Sequence, residues 1–215
     1  GYENTILSSG VQTSFEQFKD VYLNLGLSAS YDDLRAQSSA SDTLKKQAGE
    51  FTEIAASYGF KTDKRDRAFM PTSGYVSTFN QKLPIFADKK SIANTVSLSS
   101  YKLLTEDVVT ASKFYLSAIN GIADEDVRLN ERRFLNSKRL RGFEKGKVGP
   151  VDGADHVGGN YAAAINFEAN FPNLLPDSSR AEVGTFIDIA NVWGVDYDNT
   201  IDETNTLRSS AGVSL

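Results

Sequence analysis

Apolar and polar positions alternate with period two along most of the chain. In residues 19–34, Val21, Leu23, Leu25, Leu27, Ala29 and Tyr31 fall on one face, and Tyr22, Asn24, Gly26, Ser28 and Ser30 on the other. That pattern predicts a strand. It is longer than the ~5–6 residues of an ordinary strand, and a run of about ten or more suits a tilted strand that crosses a membrane. The same alternation places Thr52, Ile54, Ala56, Tyr58 and Phe60 opposite Phe51, Glu53, Ala55, Ser57 and Gly59. Later, Phe114, Leu116 and Ala118 oppose Lys113, Tyr115 and Ser117. It is sharpest near the end. Ala163, Ile165, Phe167, Ala169 and Phe171 share a face there, as do Val183, Thr185, Ile187 and Ile189.

Strands are expected at 4–15, 19–34, 50–62, 74–83, 91–103, 108–122, 160–171, 181–193 and 206–215. Tight connections are expected at 16–18, 84–90, 105–107 and 172–180. No segment has a convincing helical stripe, and no composition shift marks a domain boundary. Successive strands with short connections predict an antiparallel meander. Its long polar connections, at 35–49, 123–159 and 194–205, are the second, sixth and eighth, so all lie on one side. Short turns on one side and long loops on the other are the asymmetry of outer-membrane barrels. The connection at 63–73 is longer than that at 84–90, which weakens the parity without reversing it.

The second face of each strand changes the picture further. It is crowded with Gly, Ala, Ser and Asn, where an open solvent surface would carry Lys and Glu. Small neutral residues suit the inside of a barrel, whereas a soluble sandwich wets one face. The fold class expected is an all-β, antiparallel, up-and-down transmembrane β-barrel; a soluble all-β binding domain is the alternative. The 215 residues suffice for one sizeable domain, and the net charge of −5 argues against a nucleic-acid partner. There is no cysteine and one histidine, His156, so thiolate sites and multi-histidine metal sites are excluded. No cofactor is implied.

The longest connection has an unusual composition. Between Gly121 and Asn160 the chain is rich in charge and glycine and exceeds ordinary loop length. It carries Arg139-Leu140-Arg141-Gly142-Phe143, then Val148-Gly149-Pro150, then Val157-Gly158-Gly159-Asn160. Leu140 and Phe143 are costly to leave in water, and the close glycines imply a defined backbone path.

Arg141-Gly142-Phe143, Val148-Gly149-Pro150 and Gly158-Gly159-Asn160 opening a strand resemble the signature of the BamA-type outer-membrane assembly factors, the bacterial surface antigen family. Glu168, within Asn166-Phe167-Glu168, matches an acidic position on the family's next strand. Phe186-Ile187-Asp188 followed by Asn191-Val192-Trp193 resembles its F-x-D-x-G-x-V-W strand, with Ala190 in place of the glycine. Asp66-Arg67 followed by Phe69, Pro71, Thr72 and Gly74 resembles an upstream turn. The matches run in order over roughly residues 60–215.

The resemblance implies a loop folded back into the barrel lumen, with Arg141 meeting acidic residues on the wall. Alternation independently puts Glu168 and Asp188 on the polar face of consecutive strands. A guanidinium offers five donors, enough for two carboxylates. Arg141, Gly142 and Phe143 are thus the expected loop motif, Glu168 and Asp188 its partners, and Gly149, Gly158 and Gly159 the loop and strand-entry glycines. The family's barrel has sixteen strands behind periplasmic POTRA domains. The expectation for residues 1–215 is a partial barrel of about the sixth to fourteenth strands, without POTRA domains or closing strands.

The implied activity is the folding and insertion of β-barrel proteins into the bacterial outer membrane, without enzymatic chemistry. The implied partners are unfolded barrel substrates, outer-membrane lipid and accessory lipoproteins met through POTRA domains. A related two-partner-secretion or autotransporter-assembly pore shares the loop motif; the number of POTRA domains and a plug helix separate the two. Other charges have plainer readings. Glu168 and Asp188 could serve as an acid/base pair, but no nucleophile accompanies them. Arg132-Arg133, Lys138-Arg139 and His156 are expected to be solvated, and Trp193 to lie in an interfacial belt.

Overall fold

The computed structural model describes residues 1–172, 174–175, 182–198, 200–201 and 205–215. Nine strands form one sheet: β1 (Tyr2–Phe18), β2 (Val21–Ala36), β3 (Gly49–Asp63), β4 (Gly74–Ala87), β5 (Ser91–Thr105), β6 (Val108–Gly121), β9 (Tyr161–Phe171), β10 (Val183–Trp193) and β11 (Arg208–Ser214). A small hairpin, β7 (Val151–Asp152) with β8 (Asp155–His156), lies within the long connection. Each large strand pairs antiparallel with its chain neighbour, and β6 pairs with β9 across that connection. The meander is therefore as the alternation predicts. β1 and β11 are the two edges, so the sheet does not close on itself.

Period two puts the two sets of side chains on opposite faces. Leu25, Leu27, Tyr31, Ile54, Phe60, Leu98, Phe114, Leu116, Ile165, Phe167 and Ile187 are exposed large apolar side chains. Register brings several side by side: Phe114 opposite Leu98 and Ile165, and Phe167 opposite Ile187. An apolar band of this extent needs an apolar solvent. On the other face Asp32, Glu53, Ser117, Ala162, Ala164, Asn166, Asp188 and Ala190 are buried beneath the long connection. Among the described residues no helix is long and apolar enough to cross a membrane.

Several boundaries differ from expectation, each for a local reason. β1 continues through 16–18 by shifting register between Glu16 and Phe18, and the chain reverses at Lys19-Asp20, where Asp20 takes φ 62°. β4 runs on through Pro84 to Ala87, and the 84–90 turn shrinks accordingly. The pairing Ile54–Phe86 is followed by Ala55–Pro84, which leaves Ile85 as an extra residue. A bulge is where a residue without an N–H is tolerated in a sheet. The 35–49 connection contains one helical turn, α1 (Asp42–Lys45), capped by Ser41, whose hydroxyl accepts from the Leu44 N–H at 3.0 Å. Most of the 172–180 turn lies outside the described residues, as do 199 and 202–204 of the acidic connection.

Candidate functional site

The long connection is a stem with an inward tip. Arg133 and Gly159 exchange backbone hydrogen bonds of 2.6 and 3.0 Å, which closes the stem. Beyond it, Leu135, Leu140 and Val148 pack on Ala162 and Ala164 of β9 and on Ala190 and Val192 of β10, with Phe143 and Tyr115 at the margin. The small residues of the inner face are therefore a seat for the loop. Burying the Leu140 side chain alone contributes about 1.5–3 kcal/mol.

Three motif glycines need their special backbone, Gly158 among them at φ +67°. Gly142 takes φ +81°, and a Cβ there would meet Ser210 Cβ only at an ordinary 3.9 Å, so its requirement is conformational. Gly149 takes φ +115°, and a Cβ there would meet Val192 Cβ at 2.8 Å. At strand entry close approach constrains both glycines as well: a Cβ on Gly158 would meet the Phe134 ring at 2.7 Å, and one on Gly159 the Trp193 carbonyl oxygen at 2.4 Å.

The structure brings Arg141, Glu168 and Asp188 together. Arg141 Nε donates to Asp188 Oδ2 at 2.8 Å and Nη2 to Asp188 Oδ1 at 2.6 Å, a bidentate fork. The Arg141 backbone N–H donates to the same Oδ2 at 2.9 Å. Nη2 also lies 3.0 Å from Glu168 Oε1. The guanidinium carbon sits 3.7 Å from the Phe186 ring centroid, close enough for cation–π attraction. In register, Asp188 opposes Asn166 and Glu168 opposes Phe186, so the two carboxylates are diagonal neighbours.

Four members of this site escaped the sequence reading. Lys113 on β6 donates to Glu168 at 2.6 Å, so Glu168 has a second counter-charge. The Asn166 amide donates to Asp188 Oδ1 at 2.7 Å and to the Arg139 carbonyl at 2.9 Å. The Arg139 guanidinium lies 3.4 Å from the Tyr115 centroid. Alternation did put Lys113, Tyr115 and Asn166 on the inner face; what it lacked was where the loop would land.

A second arginine corrects the expectation of solvated loop charge. The Arg132 side chain is 0% exposed. Its Nη2 donates to Val127 O at 2.9 Å and to Asp196 Oδ1 at 2.5 Å, and its Nη1 to Asn160 Oδ1 at 3.1 Å. Asp196 Oδ2 accepts from Val127 N and Asn160 Nδ2, both at 2.9 Å. Burial pushes the Asp196 carboxyl up, but the Val127 N–H, the Asn160 amide and Arg132 together hold it below the ordinary 3.8. Arg133 is also partly buried, as is Arg139; Lys138 alone of the four is exposed. His156 is half-buried in β8. Trp193 stacks on Tyr161 with centroids 5.7 Å apart.

The long connections meet one another at this end. Asp152 in β7 accepts from Thr43 at 2.7 Å and from Tyr197 at 3.0 Å, and Leu44, Leu129 and Val157 share a buried apolar cluster. Among the described residues no group of His, Cys, Asp or Glu could hold a metal.

The model of the Omp85 superfamily domain matches residues 1–215. The chain belongs to the Omp85 superfamily. Its open sheet is accordingly part of an outer-membrane β-barrel, with the apolar band on the face opposite the long connection. The outer membrane protein assembly factor BamA of Neorickettsia risticii (strain Illinois) is 27% identical over 220 residues, covering 100% of this chain and 30% of that protein. A SAM50-like protein of Schizosaccharomyces pombe is 27% identical over 152 residues, covering 66% of this chain and 31% of the relative. The sorting and assembly machinery component 50 homolog A of Xenopus laevis is 25% identical over 138 residues, covering 62% and 30%. The chain thus spans about three-tenths of the length of the curated relatives it matches. The crystal structure of Haemophilus ducreyi BamA lacking POTRA domains 1–3 shares the fold. Its TM-score is 0.85 at 21% identity, over 99% of this chain and 48% of that one.

Proposed function

We propose that the parent of this chain is an assembly factor that folds and inserts β-barrel proteins into the bacterial outer membrane. The observation that carries this is the match to a BamA along the whole of the chain. In this reading the substrates are unfolded outer-membrane barrels, presented with lipid, and accessory lipoproteins act through POTRA domains. Residues 1–215 supply the inner strands of the barrel, about the sixth to fourteenth, and other segments supply the seam. An opened seam offers unpaired backbone to an incoming strand, the physics of strand addition. No bond of the substrate is made or broken, so the activity is not enzymatic.

The role assigned to Arg141, Gly142 and Phe143 is to hold the loop in the lumen against Asp188 and Glu168, keeping the wall next to the seam in one shape. The two SAM50-type relatives raise a mitochondrial outer membrane as the other compartment. Depletion of the parent in its native cell tests the reading. Outer-membrane barrel proteins are expected to accumulate unfolded, and normal insertion after depletion would exclude the assignment. Fractionation of the same cells assigns the compartment.

A further inference from the structure

Upstream of Arg141 the loop makes a second set of charged contacts, with a different part of the wall. Arg128 precedes a 3-10 turn at Leu129–Glu131, and its side chain is 4% exposed. Its Nη1 lies 3.6 Å from Asp32 Oδ2 on β2 and its Nη2 3.5 Å from Glu53 Oε2 on β3. Its Nε donates to Glu131 Oε2 at 3.4 Å. Glu131 accepts in turn from Lys82 on β4 at 3.1 Å and from Ser91 on β5 at 3.2 Å, and Lys82 also bonds Glu53. One turn of the loop therefore ties β2, β3, β4 and β5. Arg141 takes its partners from β9 and β10, and Lys113 on β6 pairs with Glu168 beside it. No strand contributes to both.

A cavity of about 250 Å³ lies between turn and wall, lined by Glu53, Lys82, Arg128, Glu131 and Arg133 among others. Arg128 Nη1, Asp32 Oδ1 and Glu53 Oε1 are buried without a hydrogen-bond partner. Three carboxylates, Asp32, Glu53 and Glu131, meet three cations, Arg128 and Lys82 in direct contact and Arg133 on the cavity wall. Without Arg128 the carboxylates outnumber the cations in a buried site, where unpaired charge is most costly.

We propose that Arg128 is a positioning residue: it fastens the loop to β2 and β3 and, through Glu131, to β4 and β5, as Arg141 fastens it to β9 and β10, and assembly activity needs the loop held at both places. The activity part rests on the assembly reading above; the positioning part does not.

The test uses the full-length parent, otherwise free of cysteine, carrying Val127→Cys as reporter, since Val127 is 1% exposed beside the Arg128 turn. Arg128→Gln is expected to keep the folded, heat-modifiable form while maleimide labelling at 127 rises about tenfold, the signature of a local opening, and substrate assembly falls. Arg128→Lys should return both toward wild type. Arg141→Gln is the reference for the assembly reading. Assembly lost with Arg141→Gln, but labelling and assembly unchanged with Arg128→Gln, overturns the positioning role and leaves the assembly reading intact. Raised labelling with Arg128→Gln but assembly intact in both variants overturns the need of assembly for the held loop, and a wild-type parent that assembles no substrate overturns the assembly reading instead. Should Arg128→Gln fail to accumulate, Asp32→Asn/Arg128→Gln removes one carboxylate together with the clasp and keeps the charges balanced. Raised labelling there supports the proposal, and wild-type labelling overturns it.

Discussion

Arg141 and Arg132 sit on the same loop, each clasping a carboxylate, but the burial is reversed. At the Arg141 clasp the wall buries the acid: Asp188 is 0% exposed and the arginine 22%. At the Arg132 clasp the loop buries the base: Arg132 is 0% exposed and Asp196 27%. What a truncation costs depends on which charge is left behind. A buried charge without its partner is expensive, while a partly wet one recovers some hydration. The two clasps should therefore respond in opposite senses to loss of the acid and loss of the base.

The largest effect is expected from Asp196→Asn. It strands a fully buried guanidinium and turns an amide N–H₂ toward the Val127 and Asn160 donors, for a loss of about 3–5 kcal/mol. Arg132→Met should cost less, about 1–2 kcal/mol, because water can reach the freed carboxylate. At the other clasp the order inverts. Arg141→Met should cost about 1–3 kcal/mol, discounted because Asp188 keeps the residue-141 N–H and the Asn166 amide as donors. Asp188→Asn should cost about 1 kcal/mol, since Arg141 keeps Glu168. The midpoint of heat-modifiable migration of the intact parent ranks all four. The same order of acid and base at both clasps would break the comparison.

Acid should discriminate the clasps further. Because the folded-state value of Asp196 is depressed, its stabilisation is fully present above the ordinary carboxylate value and is lost as pH falls through the folded value. A melting series from pH 7 downward should therefore lose stability below about pH 4. Asp196→Asn should lack that part of the slope, and an unchanged slope would remove Asp196 from the account. The smallest effect belongs to Lys138→Ala, expected within about 0.5 kcal/mol of wild type because the side chain is exposed. A larger change would mean that exposed loop charge matters beyond the clasps.

The strands were legible because each long strand has two unlike environments, and period two records the difference at nearly every position. Boundaries were less so. Pro84 reads as a turn, and only the bulge at Ile85 shows how β4 absorbs it. The Arg141 loop was legible through a spaced motif whose glycines and arginine each have a separate physical demand. Arg132 was not, because Arg132-Arg133 reads locally like any solvated charge pair. Its partner Asp196 lies across a fold that no local pattern encodes. Lys113 shows the intermediate case. Alternation supplied its face, but only the landing point of the loop supplied its partner. This revises the balance at Glu168, which keeps a cation when Arg141 is lost.

Coupling between Arg141 and Asp188 is what a docked loop requires above all. Arg141→Asp, Asp188→Arg and the exchanged double variant, made in the intact parent, form a charge-swap cycle read by stability and by substrate assembly. Each single reversal should be strongly harmful, and the exchange should recover part of the loss. The interaction energy expected is about 1–3 kcal/mol, whereas independent sites would add. The coupling of Arg141 with Glu168 should be smaller, because Lys113 remains. Additive losses at Arg141 and Asp188, or a reversed Arg141 indistinguishable from wild type, would contradict a loop held in the lumen by this pair.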